Sequence, residues 1–413
     1  MQLKKALLLA FAVLLVAPKA KAQLAEFDTS HTVFYEAPTK THMFVYSPSA
    51  DLQVTPWEWL SVRGGWTADV VSGASVAVKA GQAYAARHPG TDIVSTASVR
   101  DFRNSPHGGI TLRKDTVAFS ADYAYSTEND YRSNAIGVSA RTDTYEHTSQ
   151  FEIAYAHNWD SVCDRVQSQT NLDTPVFYRA LESSTGCFTS APLRTTDSIG
   201  IDSFQGSWTQ AWTPVLSTQL VYTAQILNGF QANPYRAVVI AEGTEAQEHE
   251  PENRARQAVA VRANYFFKPI KAALHLGVRG YWDTWDIKSG TGDAELEKYL
   301  GEPFRVSARA RVYKQSGALF WSDDYTGGNA PLGPRGQYWT GDRELSPFWS
   351  WLLGVRATFA VNPDKRILGV MSGFRARLTF DINNYSYDEY TLGGTSIGNA
   401  HAYIGSLDVT ALF

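Results

Sequence analysis

The sequence predicts an all-β fold, an antiparallel transmembrane β-barrel of the outer-membrane type with about 16 strands (about 14 to 18). Three observations lead to this prediction. The chain begins with an export signal, alternation of apolar and polar residues recurs along most of its length, and the last strand ends on an aromatic residue.

The amino terminus has the three parts of a secretory signal. Two lysines precede an apolar run over residues 6–16, and an A-x-A cleavage site ends at Ala22. The run is too short to span a membrane as a helix. We therefore expect residues 1–22 to be a cleaved signal peptide and residues 23–413 to form a single barrel domain.

The carboxy-terminal segment His401–Phe413 alternates strictly. Apolar residues occupy every second position back from Phe413, and Ser406, Asp408 and Thr410 lie between them. About ten residues is the length that a tilted strand needs to cross a bilayer. An aromatic last residue resembles the assembly signal of outer-membrane barrels, although this stretch alone also fits the last strand of a soluble sandwich.

The connections between the predicted strands alternate in length, and this favours the barrel. The connections Thr55-Pro56, Thr213-Pro214, Lys268-Pro269 and residues 362–365 are short, whereas the intervening loops are long. Short periplasmic turns and long external loops are typical of outer-membrane barrels. A further short strand is expected at Ala318–Asp323. The long external loops are expected at about 72–104, 159–196, 229–255, 286–302, 324–346 and 382–400.

Composition supports a membrane barrel and gives no sign of nucleic-acid binding. Aromatic residues make up 13% of the chain, including 12 Trp and 21 Tyr, which suits aromatic girdles at both membrane interfaces. The net charge of −4 comes without a basic tail or a recognition motif. Cys163 and Cys187 are the only cysteines, and in an exported chain they predict a disulfide that closes one long loop.

The charged residues of the predicted strands should face the lumen, because a charge on the lipid face costs roughly 2–4 kcal/mol at mid-membrane. In the second half of the chain this set is rich in arginine. The predicted pore-lining residues are Arg262, Arg279, Arg305, Arg309, Arg311, Arg356, Arg375, Arg377, Asp381 and Asp408.

An arginine-rich wall has two interpretations. It favours anions if the arginines are unpaired, and it stiffens the barrel if they form ion pairs with carboxylates on other strands or on inward-folded loops. The sharpest candidate for a functional ladder is Arg305, Arg309 and Arg311, which repel one another unless something anionic lies opposite.

No catalytic constellation is apparent. The histidines are scattered, and His275 alone falls clearly on an inward strand face, where a hydrogen-bonded structural role is the default. There is no nucleophile elbow and no paired-histidine metal motif. The acids Asp293, Glu295, Glu297 and Glu302 are assigned to a solvated external loop with a minor prospect of divalent-ion binding. We expect no enzyme, no cofactor and no resident metal.

Two passages resemble the DUF3570 family of Gram-negative outer-membrane proteins. One is the hairpin from Val33 that leads to a strand ending in residues 69–75. The other is Thr116–Asn129 with the following Asp130-Tyr131. The resemblance covers mainly residues 32–160 and implies a barrel in the bacterial outer membrane, with no reaction assigned.

The expected function is therefore an outer-membrane pore or portal for a polar solute or polymer, anionic if the arginines are unpaired. Its surroundings would be outer-membrane lipid and lipopolysaccharide, with the barrel-assembly machinery as a transient partner. One alternative is an accessory barrel in an envelope machine such as a polysaccharide exporter, with a periplasmic partner protein. Another is an adhesin or receptor that acts through its external loops.

Overall fold

The computed structural model describes the chain from residue 24 to 413 with internal gaps. The described residues are 24–37, 43–73, 101–128, 131–166, 194–232, 237–241, 244–322, 338–361, 367, 370–387, 389–392, 395–396 and 399–413. The predicted signal peptide lies outside them. So do Cys187, the side chain of Cys163 and the expected turn at 362–365.

Sixteen antiparallel strands close into one barrel, as the alternation predicts. Successive side chains of a strand point to opposite faces, so each strand can place one face in lipid and the other in the lumen. The barrel strands are β1 (Leu24–Ala37), β2 (Met43–Trp57), β3 (Leu60–Gly73), β4 (Asp101–Lys114), β5 (Val117–Thr127), β6 (Tyr131–Thr144), β7 (Ser149–Val166), β8 (Arg194–Thr213), β9 (Leu216–Gly229), β12 (Asn253–Phe267), β13 (Ala272–Asp283), β14 (Lys288–Tyr299), β15 (Phe304–Gln315), β16 (Phe348–Val361), β17 (Gly373–Ser386) and β20 (Asn399–Leu412).

Two small hairpins lie in the connections outside the barrel sheet. Strands β10 (Ala237–Ala241) and β11 (Thr244–Gln247) pair between β9 and β12, and β18 (Thr391–Leu392) and β19 (Thr395–Ser396) pair between β17 and β20. None of the helices in the described part of the chain is long and apolar enough to span a membrane.

The carboxy-terminal strand closes the barrel. β20 pairs antiparallel with β1 from Glu26↔Leu412 to Ala37↔His401 and with β17 on its other side. The Phe413 amide donates a hydrogen bond of 2.8 Å to the Ala25 carbonyl, so the last residue is fixed against the first strand. We call the end of the barrel that carries Leu24 and Phe413 the terminal end and the opposite end the loop end.

Tight turns join most neighbouring strands at the terminal end, and the turn expected at Thr55-Pro56 lies instead at residues 58–59, because Thr55 and Pro56 belong to β2. Residues with positive φ occur in three of these turns, at Asp115, at 145–147 and at Lys271, whose φ is 48°. This left-handed conformation reverses the chain within a few residues. The loop end carries the long connections, together with three short ones at 38–42, 128–130 and 284–287.

The outer face is apolar, with aromatic side chains near both ends. Trp57 and Trp59 stack at the terminal end with ring centroids 5.6 Å apart, and each is 53% exposed. At the loop end the outward aromatic residues include Phe102, Trp159 and Trp282. Exposed aromatic rings at two levels match the interfacial girdles of a membrane-spanning barrel.

The strand boundaries differ from the sequence prediction at several places. The expected loop 286–302 is wrong, because Lys288–Tyr299 is strand β14. Its outward positions include Gly290, Gly292 and Ala294, which are too small to give the apolar alternation of a membrane strand. The expected strand at 318–323 is also wrong, since residues 318–322 belong to a loop-end connection.

Other strands extend into segments expected to be loops. β4 begins at Asp101, β7 runs to Val166, β8 begins at Arg194 and β17 ends at Ser386. These extensions are polar and contain few large apolar residues, so periodicity alone did not separate them from loops.

Candidate functional site

The lumen wall is the candidate site, and the strand register decides which residues line it. Large apolar residues such as Leu276, Val312 and Val355 are exposed on the outer face. The charged residues stand at the alternating positions between them. The register places on the lumen face Arg262, Arg279, Arg305, Arg309, Arg311, Arg356, Arg375, Arg377, Asp381, Asp408 and His275.

Some of these arginines reach across a whole strand to a carboxylate. Arg309 of β15 donates to Asp381 of β17 through Nε, at 2.7 Å, and through Nη2. Between them lies Gly354 of β16, where a Cβ would collide with the Asp381 carboxylate. The pair is well enclosed, because the Asp381 side chain is 2% exposed and that of Arg309 is 28% exposed.

The same arrangement recurs in the first half of the barrel. Arg63 of β3 reaches Asp122 of β5, with Nη2 at 2.6 Å from Oδ1, over Gly109 of β4. His107 of β4 approaches Asp51 of β2 at 2.6 Å over a lumen-facing glycine of β3, in the reverse direction. A glycine opposite the aspartate therefore gives the carboxylate room to lie flat against the wall.

Strand β14 supplies the anionic partners that the sequence interpretation lacked. Its Glu295 accepts hydrogen bonds from Arg356, at 2.8 Å, and from Ser307, at 2.6 Å. Its Glu297 forms an ion pair with Arg305 at 3.5 Å. Glu295 and Glu297 are thus lumen residues, and their assignment to an external loop is wrong.

Three exposed lumen arginines on β12–β15 have no ion-pair partner among the described residues. Arg262, Arg279 and Arg311 are all exposed, in contrast to Arg305, Arg309 and Arg356. Arg262 makes only a long contact of 3.5 Å to the neutral Gln219. Arg279 lies over the Tyr281 ring at 5.7 Å.

The three arginines predicted to form a ladder on β15 therefore differ in their ion pairing. Arg305 and Arg309 pair with carboxylates on neighbouring strands, which removes the repulsion expected between them. Arg311 lies opposite Asp293 in the register, yet the structure records no ion pair between them.

The last two predicted arginines lie near the terminal end. Arg375 donates to Thr410 at 3.1 Å, and Asp408 accepts from Ser30 at 2.6 Å. Arg377 and Asp408 are register partners without a recorded ion pair. Together these residues line a small cavity of about 200 Å³ at the barrel seam.

Arg309 and Arg311 offer a direct comparison of a paired and an unpaired arginine at adjacent inward positions. We expect Arg309→Gln to lower the free energy of unfolding by up to about 3 kcal/mol, because it leaves the buried Asp381 without its partner. Arg311→Gln should change it by less than about 0.5 kcal/mol. Urea unfolding in detergent micelles, followed by tryptophan fluorescence, measures both. Equal losses of unfolding free energy in the two variants would contradict the assignment of Arg309 as paired and Arg311 as unpaired.

At the loop end, parts of two connections fold over the lumen. We call the described residues 230–232, 248–252, 316–322 and 338–347 the cap. Glu248 is 1% exposed and accepts hydrogen bonds of 3.0 Å from Thr340 Oγ1 and the Gly341 amide. The backbones of His249 and Trp339 exchange two further hydrogen bonds, of 3.0 and 2.9 Å. The two connections are therefore joined to each other.

A buried ion pair holds the cap to the first strand. Arg343 donates to both carboxylate oxygens of Glu36 of β1, at 2.6 and 3.0 Å. The two side chains are 10% and 3% exposed. Burial alone would lower the pKa of Arg343, but the Glu36 hydrogen bond and the charges around it raise that pKa overall. Arg343 is therefore held in its cationic form.

On another side of the mouth, the cap packs against the turn between β13 and β14. Leu345 joins Trp285, Ile287 and Phe320 in one apolar cluster. Below this cluster Asp283, whose side chain is fully buried, accepts from Arg254, Tyr281 and the backbone amides of Trp285 and Ile287. This contact lies several strands around the wall from Glu36, so the segment 343–345 bridges the mouth.

The sequence interpretation missed Glu36, Arg343 and Arg254. Glu36 and Arg254 could have been found, because both fall on lumen-facing positions of alternating strands. Arg343 lies in a connection without periodicity, and nothing local in the sequence links it to β1. No group of three or more His, Cys, Asp or Glu side chains in the described ranges is placed to hold a metal ion.

Comparison with solved structures supports the fold. A bacterial polysaccharide outer membrane secretin shares 10% identity with this chain, with a TM-score of 0.51, over 94% of this chain and 98% of that one. OccD3 (OpdP) of Pseudomonas aeruginosa shares 7% identity, with a TM-score of 0.42, over 95% and 92%. The outer membrane protein opdK of the same organism shares 7%, with a TM-score of 0.41, over 95% and 99%. At these identities the likeness concerns the fold alone, and of the three proteins the secretin, with a TM-score above 0.5, supports it.

No curated protein matches the chain significantly. The sequence pattern of the family described as "Protein of unknown function (DUF3570)" matches residues 6–372, a much longer stretch than the passages that first suggested it. Because this match covers most of the chain and the fold is a closed barrel, the chain belongs to the DUF3570 family of outer-membrane β-barrel proteins.

Proposed function

We propose that this barrel is a pore of the bacterial outer membrane that passes polar solutes and prefers anionic ones. The terminal end faces the periplasm and the cap lies on the external side. The observation that carries the proposal is the group of three exposed arginines on the β12–β15 side of the lumen, Arg262, Arg279 and Arg311, which have no ion-pair partner among the described residues.

The physical reason is the field of these unpaired charges in a confined space. A unit charge at 4 Å changes the energy of a passing ion by about 1 kcal/mol in bulk water and by about 4 kcal/mol at an effective dielectric constant of 20. The paired arginines contribute much less, since each carboxylate cancels most of the field of its partner. Solute preference should therefore depend on Arg262, Arg279 and Arg311 and not on the arginine total.

The two halves of the wall also differ in charge, and this supports a directional field across the lumen. Lumen-facing arginines outnumber carboxylates on β12–β20, whereas carboxylates outnumber arginines among the described lumen residues of β1–β9. The acids of the first half are Glu26, Asp28, Glu36, Asp51, Asp69, Asp122, Asp143, Glu152 and Asp160. An anion should therefore travel along the β12–β15 side.

Solute entry into proteoliposomes tests the proposal. Gluconate, glucose and glucosamine have six carbons each and differ in charge, so entry rates compare charge at nearly constant size. We expect gluconate to enter fastest and glucosamine slowest, with no entry into protein-free liposomes. Failure of all three solutes to enter, or faster entry of glucosamine than of gluconate, would overturn the proposal.

A further inference from the structure

A recess in the lumen wall lies below the cap and extends around the barrel from β2 to β13. It has a volume of about 750 Å³, within the range of pockets that hold small organic ligands. Small lumen-facing residues create it, because Gly137, Ala154, Ala156 and Ala258 leave the wall thin on β6, β7 and β12. This size exceeds that of an inorganic ion and suits a short saccharide.

Uncharged polar side chains dominate the lining of the recess. Gln205 and Thr223 are register partners on β8 and β9, and Gln225 donates to Ser203 at 3.2 Å. The Gln205 side chain is exposed to the lumen, and the structure records no hydrogen bond from it to another described residue. Amides and hydroxyls both donate and accept hydrogen bonds, as a vicinal diol does. The lining therefore matches a ligand rich in hydroxyl groups.

Charged groups line the recess at several points, with Arg256 and Arg279 at its β12–β13 end. Arg279 of β13 is one of the three unpaired arginines, and its guanidinium lies over the Tyr281 ring. Glu152 of β7 lines the middle of the recess and has no recorded ion pair, although Arg141 is its register partner, and the paired Arg63 and Asp122 lie towards β2. A guanidinium binds a carboxylate through two parallel hydrogen bonds, and a lone carboxylate accepts hydroxyl donors. This arrangement suits a ligand with an acidic group at one end and hydroxyls along its length.

We propose that the recess is a binding site for an acidic saccharide, with the ligand carboxylate on Arg279 and its hydroxyls on Gln205, Thr223 and Glu152. This inference rests on the proposed function, because it names the solute class that the pore would admit. It adds a residue-specific claim, since Arg279 contributes to binding in the recess while Arg311 does not line it.

Binding is measured on the purified full-length barrel in micelles by titration calorimetry, which does not require conduction. The probes are trigalacturonate, the neutral maltotriose and tricarballylate, which has three carboxylates and no hydroxyl groups. We expect trigalacturonate to bind best. Arg279→Gln should weaken its binding roughly ten- to a hundredfold, through loss of a charge-assisted pair.

Two further variants make the result specific. Gln205→Ala should weaken trigalacturonate binding roughly several-fold, as expected for one lost neutral hydrogen bond. Arg311→Gln removes the same charge from the wall outside the recess and should leave the affinity unchanged. Equal affinity for trigalacturonate and tricarballylate, absence of trigalacturonate binding, or an equal loss in the two arginine variants would overturn the inference. Gluconate preference in proteoliposomes could still hold in those cases, so failure of the inference is distinguishable from failure of the proposed pore.

Discussion

Replacing Arg343 with Leu is expected to open the pore more widely and to raise its single-channel conductance. The change leaves Glu36, which is 3% exposed, buried without a partner. Breaking a buried pair in this way typically costs about 3–5 kcal/mol. A cost of that size shifts the equilibrium between the docked and undocked cap by roughly a hundredfold or more.

The cap is the right element for such an effect because the segment 343–345 bridges the mouth. The described cap residues and the wall enclose a cavity of about 500 Å³ lined by Asp342, Glu344, Leu345 and wall residues of β6–β9. Undocking this segment should therefore widen the path at the loop end. The apolar cluster at Leu345 would still hold one side, so we expect frequent visits to a higher conductance level and not permanent opening.

Planar-bilayer recordings of single channels measure this effect. The matched control is Lys288→Gln, which breaks an exposed loop-end ion pair with Asp286, 3.0 Å long, and should leave conductance unchanged. A double variant, Glu36→Gln with Arg343→Leu, should restore part of the closed population, because no buried charge is then left alone. Identical conductance in wild type and Arg343→Leu would show that the bridge does not restrict the pore.

The alternation of the sequence was sufficient to predict the barrel and the inward face. The strand register places the predicted pore-lining residues on the lumen face. A shift of one residue would turn the apolar side chains of a strand inward, so the apolar pattern fixes the register. The final strand pairs with β1 and β17, as the prediction of closure at Phe413 requires.

The pairing of the arginines could not be predicted, since it depends on strands that are not adjacent in sequence. Arg309 and Asp381 are 72 residues apart, and their contact needs Gly354 on the strand between them. Strand β14 carries Glu295 and Glu297, but three of its outward positions are Gly290, Gly292 and Ala294, so the sequence does not show a membrane strand there. Because Glu295 and Glu297 were not assigned to the lumen, the sequence prediction overestimated the positive charge of the wall.

The cap shows a second limit of sequence reasoning. Glu36 and Arg343 are 307 residues apart, and Arg343 lies in a connection of irregular structure. Periodicity carries information only within regular elements, so the inward fold of this connection had no local signal. The predicted disulfide between Cys163 and Cys187 and the signal peptide 1–22 lie outside the described residues and stay predictions.

Removing the three unpaired arginines together is expected to have the largest effect on ion preference. The variant Arg262→Gln, Arg279→Gln, Arg311→Gln leaves the paired arginines and the lumen carboxylates in place. With these three positive charges gone, acids without a recorded ion pair, such as Glu152 and Asp293, contribute a larger share of the field. The anion-to-cation permeability ratio should fall by about tenfold or more, because about 1.4 kcal/mol corresponds to a factor of ten.

The charge-retaining variant with lysine at the same three positions is the matched control. It preserves the positive field but loses the planar guanidinium, so it should keep the anion preference of the wild type. Neither variant should reduce stability substantially, since none of the three arginines forms an ion pair with a described residue.

The zero-current potential across a KCl gradient tests the central claim most directly, that the unpaired arginines of the lumen determine which ions pass. The wild type and the lysine variant should give the potential of a pore that prefers chloride, and the glutamine variant should move it towards the potassium side. The same potential in all three proteins, or potassium preference in the wild type, would contradict the claim.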